Sequence, residues 1–329
     1  MRYGELGNSG IQVSIIGLGT WAIGGGSWWG DTDDDESVRT IQAAIDSGIT
    51  LIDTAPCYGF GHSEEVVGKA IKGHREKVVI STKCGLWWHD NKGSFFFELE
   101  GKKVNRSLHP ATIRQEIELS LNRLGTDYID IYHTHWQAIE PDKTPIAETM
   151  ECLLDLKREG KIRSIAVSNV SEQELEEYSK AGGISANQAK YSMLDRGLER
   201  EGLSFCKQNK IGVLAYSPLE QGLLTGKIGM DVQFDEKEVR SDATWFKPEN
   251  RIKVLNMLHG WSDITEKYRC TVSQLVVAWT ASQAGITSVL CGARHPGQII
   301  ETAVGGNLIL DDVDTARMQL DVEMLGNPE

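Results

Sequence analysis

The sequence lacks the features that would place the chain in a membrane, outside the cell or among disordered proteins. No apolar run reaches the roughly 18–20 residues that a membrane-spanning helix needs. The opening stretch, MRYGELGNSG, has none of the apolar residues in series that a secretory signal carries. Only six cysteines occur among 329 residues, and none forms a Cys-x-x-Cys pair, so neither a zinc finger nor a disulfide framework is indicated. We therefore expect a reduced, cytosolic protein.

Basic residues are also in short supply. Lys and Arg number 34 against 47 Asp and Glu, which gives a net charge of −13. This acidic balance argues against nucleic acid or an anionic membrane as a partner. Apolar residues make up 40% and charged residues 25% of the chain, which are the proportions of a globular protein with a sizeable core.

Short apolar runs alternate with helical patterns along the chain. A short hairpin is predicted first, where Arg2–Leu6 and Ile11–Ile15 flank a turn of Asn, Ser and Gly. Eight strands are then predicted, at Ser14–Leu18, Thr50–Asp53, Lys77–Lys83, Tyr128–Tyr132, Ile162–Val167, Ile184–Ala189, Ile211–Tyr216 and Ile286–Leu290. Such alternation implies parallel strands covered by helices. It favours a closed (β/α)8 TIM barrel over an open doubly wound sheet, because closure removes both sheet edges.

Helix boundary signals separate these strands. Pro110 suits a first helical position, Gly125 suits a helix end, and Ser63 predicts the start of the helix that Gly73 follows. The acidic run Asp31–Glu36 is typical of an exposed helix N-terminus. Capping-box spacing predicts two further helix starts, at Ser171 with Glu174 and at Thr271 with Gln274.

Two connections are much longer than the others. Cys84–His109 follows the third strand and Ser217–Asn250 follows the seventh. Connections of this length without strong periodicity are usually lids or binding loops. Both follow strand C-termini, the end at which barrel enzymes carry out their chemistry. No linker or low-complexity tract divides the chain, and we expect a single domain over residues 1–329.

Four polar residues lie where predicted strands end. Asp53 ends the second strand, Tyr58 follows it, Lys83 ends the third, and His135 lies just beyond the fourth. A phenol has a pKa of about 10, and a neighbouring ammonium would lower it toward the working range of an acid–base catalyst. A carboxylate would keep the lysine charged, and a histidine could orient a carbonyl oxygen. Singly each residue has an ordinary structural explanation; together they indicate protonation of a carbonyl oxygen.

Two other chemistries are weighed at the same residues. His133 and His135 form an H-x-H pair of the kind that binds metal in barrel hydrolases, but no further set of histidines stands at the other strand ends. The run Gly17–Ala22 superficially fits a Rossmann fingerprint, yet glycines follow where a helix should open. We therefore expect neither a metal nor a Rossmann fold, and we expect Thr20 and Trp21 to line the cofactor or substrate pocket.

Several blocks of sequence, in order and over nearly the whole chain, resemble the signatures of the aldo-keto reductases. They are Leu51–Glu65 (LIDTAPCYGFGHSEE), Ser81–Lys83 (STK), Asp130–Trp136 (DIYHTHW), Gly160–Asn169 (GKIRSIAVSN) and Tyr216–Leu219 (YSPL). Within that family, Gly19–Gly24 and Ser217–Gly226 are most similar to the bacterial branch of general-stress and methylglyoxal reductases.

The resemblance implies a TIM barrel that binds an extended nicotinamide cofactor. The family's catalytic tetrad would fall on Asp53, Tyr58 as general acid, Lys83 and His135. Tyr216 would stack on the nicotinamide ring, which fixes the face that gives up hydride. Cofactor contacts are also implied at Ser168, Asn169 and Gln188 for the carboxamide, at Ser217, Pro218, Leu219, Gln221 and Leu223 for the pyrophosphate, and at Arg240 in the same loop.

The choice between NADPH and NADH depends on groups near the adenosine 2′ position. The lysine and arginine that neutralise a 2′-phosphate in the eukaryotic branch align with Gly292 and Gln298, and the usual asparagine aligns with Thr302. Arg294 lies in the same loop, and arginine suits bidentate phosphate recognition. We expect NADPH, with NADH as the alternative.

The resemblance thus implies an NAD(P)H-dependent reductase of small aldehydes or ketones, with 2-oxoaldehydes such as methylglyoxal or sugars as substrates. The alternative is a cofactor-binding, redox-sensing regulatory protein with little turnover. A homo-oligomer is possible in either case. Six tryptophans are expected near the barrel mouth, of which two or three would contact substrate: Trp21, Trp28, Trp29, Trp87, Trp88 and Trp136.

Overall fold

The structure is a computed structural model that describes residues 1–236 and 238–329. Lys237, which belongs to the predicted long loop Ser217–Asn250, lies outside the described residues. The strands of the described chain are β1 (Tyr3–Glu5), β2 (Gln12–Ser14), β3 (Ile16–Gly19), β4 (Leu51–Asp53), β5 (Val79–Cys84), β6 (Leu86–Trp87), β7 (Ser94–Leu99), β8 (Lys102–Arg106), β9 (Ile129–Thr134), β10 (Ile162–Ser168), β11 (Ala186–Lys190), β12 (Gly212–Tyr216) and β13 (Ser288–Gly292).

Helices follow nearly every barrel strand. They are α1 (Gly26–Trp29), α2 (Asp34–Asp46), α3 (His62–Ala70), α4 (Pro110–Leu124), α5 (Ile146–Arg158), α6 (Glu172–Ala181), α7 (Gly197–Arg200), α8 (Leu203–Gln208), α9 (Pro248–His259), α10 (Ser262–Tyr268), α11 (Val272–Ser282), α12 (Pro296–Gly305) and α13 (Asp312–Leu325). Short 3-10 helices lie at Ala22–Gly24, Arg75–Lys77, Glu220–Thr225 and Thr244–Phe246.

Eight parallel strands close into a barrel in the order β10-β11-β12-β13-β3-β4-β5-β9, and β9 pairs back onto β10. The (β/α)8 prediction is therefore confirmed, and each of the eight predicted strands is one of the eight barrel strands. Their pairing places C-terminal residues of neighbouring strands side by side: Asp53 pairs with Ser81, and Lys83 pairs with His133. The site residues therefore start from a common, rigid rim.

Apolar side chains fill both sides of the barrel wall. The outer layer packs the strands against the helices, with buried residues such as Ile80 and Ile117. The inner layer at the N-terminal end combines strand residues such as Leu214 with Leu6 and Val13 of the β1–β2 hairpin. Each such side chain contributes about 1.5–3 kcal/mol when fully buried. The hairpin, which the sequence predicted, therefore closes the bottom of the barrel.

Most predicted helix boundaries are confirmed. Pro110 begins α4, Gly125 ends it in the left-handed conformation at φ +62°, and both predicted capping boxes form. The acidic run caps α2 through Asp33, whose carboxylate accepts from the Glu36 amide. The prediction that Ser63 precedes α3 is wrong: α3 begins at His62 and includes Ser63, whose buried hydroxyl contacts the Thr20 hydroxyl.

The two long connections are more ordered than the sequence indicated. Half of the residues in Cys84–His109 form an antiparallel sheet in the order β6-β8-β7. Its two-residue turn has positive φ at Glu100 and Gly101, as a type I′ hairpin requires. The second connection ends earlier than predicted, because Pro248 already begins α9.

No helix in the described ranges combines the length and the apolar character that crossing a bilayer demands. All six cysteines are free thiols, and all except the half-buried Cys270 are buried.

Candidate active site

A buried ion pair lies at the C-terminal rim of the barrel. The ammonium of Lys83 donates to Asp53 Oδ2 at 2.8 Å and to the carbonyl of Thr54 at 2.7 Å. Both charged side chains are almost completely excluded from solvent. Asp53 ends β4 and pairs in register with Ser81 of β5, and Lys83 lies two residues beyond Ser81 on the same face of that strand. The two charged side chains therefore meet across neighbouring strands without a long loop. The predicted pairing of carboxylate and ammonium is confirmed.

Tyr58 completes this group from the loop after β4. Its hydroxyl lies 3.3 Å from the Lys83 ammonium, and the ammonium also lies 4.9 Å from the centre of the ring. The backbone of Gly24 packs so closely on this loop that an added Cβ would lie 2.7 Å from the Tyr58 carbonyl carbon. A side chain at position 24 would therefore displace the tyrosine.

The pKa of Tyr58 is shifted in the direction opposite to the one that the sequence predicted. Burial of the phenol and then the nearby Asp53 carboxylate raise the pKa well above its ordinary value, whereas the sequence predicted that Lys83 would lower it. The reason is that Asp53 already neutralises the lysine, which leaves desolvation as the largest effect. Tyr58 consequently carries its proton at neutral pH.

Two histidines stand beside the tyrosine in different roles. His135 is buried, and its ring lies 6.0 Å from that of Tyr58 at an angle of 84°. Burial and then Lys83 lower the pKa of His135 well below its usual value, so its imidazole is neutral. His133 is fully buried, contacts the Ser81 hydroxyl at 2.9 Å, and has its pKa lowered to about 4 by burial. His133 is therefore a packing residue beneath the site.

The structure adds contacts that the sequence did not predict. Ser81 donates to Asp53 Oδ1 at 2.7 Å, and the Gln188 amide donates to the same oxygen at 2.7 Å. Ser81 is two residues from Lys83 on one strand, so strand periodicity signals that both face the barrel interior. The Gln188 contact spans opposite parts of the barrel, and no local signal indicates it.

A second set of polar side chains lies on the other half of the rim. Tyr216 donates from its hydroxyl to Asn169 Oδ1 at 2.9 Å, and Asn169 in turn donates to the carbonyl of His135 at 2.9 Å. Asn169 also lies 3.1 Å from the Ser168 hydroxyl. This chain of contacts ties the predicted ring-stacking residue to the predicted catalytic histidine.

Two glycines at the rim leave open space above the strand ends. At Gly19 and Gly292, which end neighbouring strands, an added Cβ would meet no atom nearer than 3.9 Å. Positive φ at Ser217 and Gln221 turns the next loop sharply, as in backbone nests that bind anions. These features fit the nicotinamide cofactor that the resemblance implies. Of the other loop residues predicted to contact it, Pro218 and Leu223 are buried and Leu219 is half-buried.

Three predicted cofactor residues lie at the edge of this region. Arg294 is exposed and donates from its guanidinium to the carbonyl of Asp31 at 2.6 Å, and its amide donates to Gln298. Arg240 pairs with Glu238 and lies 5.5 Å from the ring centre of Trp29. Thr20 is fully buried, and its hydroxyl donates to the carbonyl of Asp53, so its proposed pocket role stays a prediction.

Aromatic rings form a wall beside Tyr58. Trp21 lies 6.3 Å from Tyr58 and makes edge contacts with Trp28 at 5.8 Å and Trp29 at 5.2 Å between ring centres. The indole N–H groups of Trp21 and Trp29 are buried without a hydrogen-bond partner. Trp87 is only 1% exposed, and its indole N–H donates to Asp90 at 2.6 Å.

Residues 1–236 and 238–329 contain no candidate metal site. No three side chains of His, Cys, Asp or Glu come together there in a way that could hold a metal ion.

Known proteins are similar to this chain over most of its length. Residues 15–320 match the Aldo/keto reductase family profile. The chain is 47% identical over 327 residues to the NADH-specific methylglyoxal reductase of Escherichia coli, covering 99% of each protein. It is 41% identical to aldo-keto reductase YhdN of Bacillus subtilis, covering 91% of this chain and 87% of that one. The solved glycerol dehydrogenase AKR11B4 of Gluconobacter oxydans superposes with a TM-score of 0.87 at 37% identity, covering 99% and 97%.

Proposed function

We propose that this chain, which belongs to the aldo/keto reductase family, reduces methylglyoxal and related 2-oxoaldehydes with NADH as its preferred cofactor. Reduction of aldehyde or ketone carbonyls with a nicotinamide cofactor is its general activity. The observation that carries the assignment of roles is the Lys83 ammonium, which contacts Asp53 and Tyr58 at once. The finer substrate choice is supported by the 47% identity to the Escherichia coli enzyme.

In the proposed mechanism Tyr58 gives its proton to the carbonyl oxygen of the substrate. Its raised pKa keeps the phenol protonated until negative charge develops on that oxygen. Lys83 then stabilises the phenolate across 3.3 Å, and Asp53 holds the ammonium in position. Neutral His135 donates a hydrogen bond that orients the carbonyl.

Hydride is the chemistry that a bound nicotinamide cofactor supplies. We propose that Tyr216 supports its ring, with Ser168, Asn169 and Gln188 at the carboxamide. Asn169 is already aligned by Tyr216 and by the His135 carbonyl. Because the side-chain nitrogen of Gln188 donates to Asp53, its side-chain oxygen is the atom that would accept a hydrogen bond from the carboxamide. The backbone of the loop from Ser217 to Leu223 would hold the pyrophosphate.

The preference for NADH over NADPH rests on the surroundings of Arg294. Its guanidinium already donates to the Asp31 carbonyl, and the acidic residues that begin α2 follow directly in the chain. A guanidinium held by this carbonyl has fewer donors available for a 2′-phosphate. The relative from Escherichia coli is NADH-specific by name. NADH is therefore proposed here, although the sequence alone favoured NADPH.

Two experiments test this assignment. Titration of the protein with NADH and with NADPH, followed by tryptophan fluorescence, should give tighter binding of NADH. Steady-state reduction of methylglyoxal should then proceed with a higher kcat/KM for NADH, with glycerol oxidation assayed in parallel because of the Gluconobacter relative. Tighter binding of NADPH would overturn the cofactor proposal, and binding without turnover of any carbonyl would favour the regulatory alternative.

Three broader expectations are proposals as well. A cytosolic location is supported by six free thiols, which persist in reducing compartments. A single domain over 1–329 is supported by the barrel strands, which run from Ile16 to Gly292. Homo-oligomer formation is to be tested by light scattering during size-exclusion chromatography.

A further inference from the structure

Within the part of the chain that the structure describes, the His135 ring has one hydrogen-bond partner among the side chains. Nδ1 of the imidazole lies 3.7 Å from Sγ of Cys57, which is within hydrogen-bond distance for sulfur. Cys57 immediately precedes Tyr58 in the chain, so the thiol and the phenol approach the histidine from the same loop. Both Cys57 and His135 are buried, with exposures of 2% and 9%. The contact therefore lies inside the site rather than on its surface.

The chemistry of the pair favours the thiol as donor. Burial raises the pKa of Cys57 to about 12, so the sulfur keeps its proton at neutral pH. Sulfur is a weak acceptor, whereas the unprotonated imidazole nitrogen is a good one. Water does not compete for this contact, because the gap that Cys57 and His135 line together with Glu116 is too narrow to admit a water molecule. Donation from S–H to Nδ1 is thus the better arrangement.

The backbone of His135 is held by two hydrogen bonds. Its amide donates to the Cys84 carbonyl at 2.8 Å, and its carbonyl accepts from Asn169 at 2.9 Å. Neither bond reaches the ring, so neither determines which nitrogen carries the imidazole proton. A neutral imidazole has one N–H, and the hydrogen bond at one nitrogen decides the state of the other.

We propose that Cys57 is a positioning residue whose thiol donates to Nδ1 of His135 and so holds the proton on Nε2, facing the carbonyl oxygen of the substrate. This inference rests on the proposed function, in which His135 orients that carbonyl. With the proton on Nδ1 instead, Nε2 would present a lone pair to the carbonyl oxygen and repel it. The thiol thereby determines whether His135 can act as a donor at all.

The test combines donor-free and donor-retaining variants. Cys57→Ala and Cys57→Val both remove the S–H donor but differ in side-chain volume. Cys57→Ser retains an O–H donor. Nitrogen-15 spectra of histidine-labelled protein, assigned with His135→Asn, should show Nε2–H in the wild type and in Cys57→Ser, and a mixture of tautomers in the other two. With the donor lost, kcat for methylglyoxal should fall about 5- to 10-fold, the worth of one hydrogen bond, while NADH affinity changes by less than about 2-fold.

The controls separate this role from simple packing. Cys206→Ala removes another buried cysteine, on α8, and should leave both the spectrum and kcat unchanged. Nδ1–H in the wild type, or Nε2–H retained in both donor-free variants, overturns the proposal whatever happens to kcat. A wild type that reduces no carbonyl contradicts the proposed function instead, and the spectra still report the tautomer.

Discussion

Gln188 and Asp53 are 135 residues apart in the chain, yet the Gln188 amide donates to Oδ1 of Asp53 at 2.7 Å across the barrel. Ser81 donates to the same oxygen, and Lys83 occupies the other. The carboxylate therefore has a buried donor for each oxygen, which fixes its plane and the direction in which it holds the ammonium. The position of the Lys83 ammonium and the balance of charge at the site therefore depend on Asp53.

Asp53→Asn should be strongly destabilising. The substitution leaves the Lys83 ammonium buried without a counter-charge, which costs about 3–5 kcal/mol in the free energy of unfolding. Urea denaturation at neutral pH measures this loss. Asp155→Asn is the matched control, because Asp155 pairs with Arg114 and Arg158 on the surface, and its loss should cost less than about 1 kcal/mol. Equal effects of the two substitutions would contradict the buried-pair interpretation.

Tyr58→Phe should remove the proton donor and leave the rest of the site intact. We expect kcat for carbonyl reduction to fall at least about 100-fold, the usual contribution of a positioned general acid. Cofactor affinity, read from tryptophan fluorescence, should stay within about 2-fold, because the phenol makes no predicted cofactor contact. Tyr268→Phe, which alters a surface tyrosine that contacts the Asp311 amide, should leave kcat unchanged. Substantial turnover by Tyr58→Phe would assign the proton to another group.

His133 should make the fold sensitive to acid. The unfolded chain protonates this imidazole below about pH 6.5, whereas the folded chain resists protonation down to about pH 4. The free energy of unfolding should therefore fall with falling pH in that window, by about 1.4 kcal/mol per pH unit from this residue. Urea titrations of wild type and His133→Gln should show a smaller slope in the variant. His259→Gln, an exposed histidine on α9, should keep the wild-type slope.

Glu116 should have the opposite dependence on pH. It is buried beneath the site, and both of its oxygens lie near the Gly85 amide, at 3.1 and 3.0 Å. Burial raises the pKa of this carboxyl well above its ordinary value, so the folded chain retains a proton that the unfolded chain releases above about pH 4.5. Stability should therefore fall as the pH rises above that value.

Glu116→Gln tests this dependence, because the amide keeps an acceptor for Gly85 and carries no titrating proton. We expect the variant to gain stability over the wild type as the pH rises toward neutral, by up to about 1.4 kcal/mol per pH unit. Glu118→Gln on the same helix changes an exposed carboxylate paired with Lys161, and should show no such gain. A wild type and Glu116→Gln variant with parallel pH profiles would mean that Glu116 is ionised when folded.

Local patterns in the sequence predicted the barrel strands and the four residues at their ends, because both follow from apolar runs and from where those runs stop. The β7–β8 hairpin was missed, although Glu100 and Gly101 form a two-residue turn between alternating side chains. The Gln188 contact with Asp53 could not be predicted, since it depends on closure of the barrel. The direction of the Tyr58 pKa was also out of reach, because burial around the phenol is a property of the folded chain.

The β1–β2 hairpin has a consequence for turnover. Leu6, Ile11 and Val13 are buried against strand residues at the end of the barrel opposite the site, so apolar side chains cover that end. In the proposed mechanism, substrate entry, product departure and replacement of the Tyr58 proton therefore all use the opening at the other end. A product that leaves slowly therefore delays the next cycle twice, by occupying the mouth and by keeping solvent protons away from the phenolate.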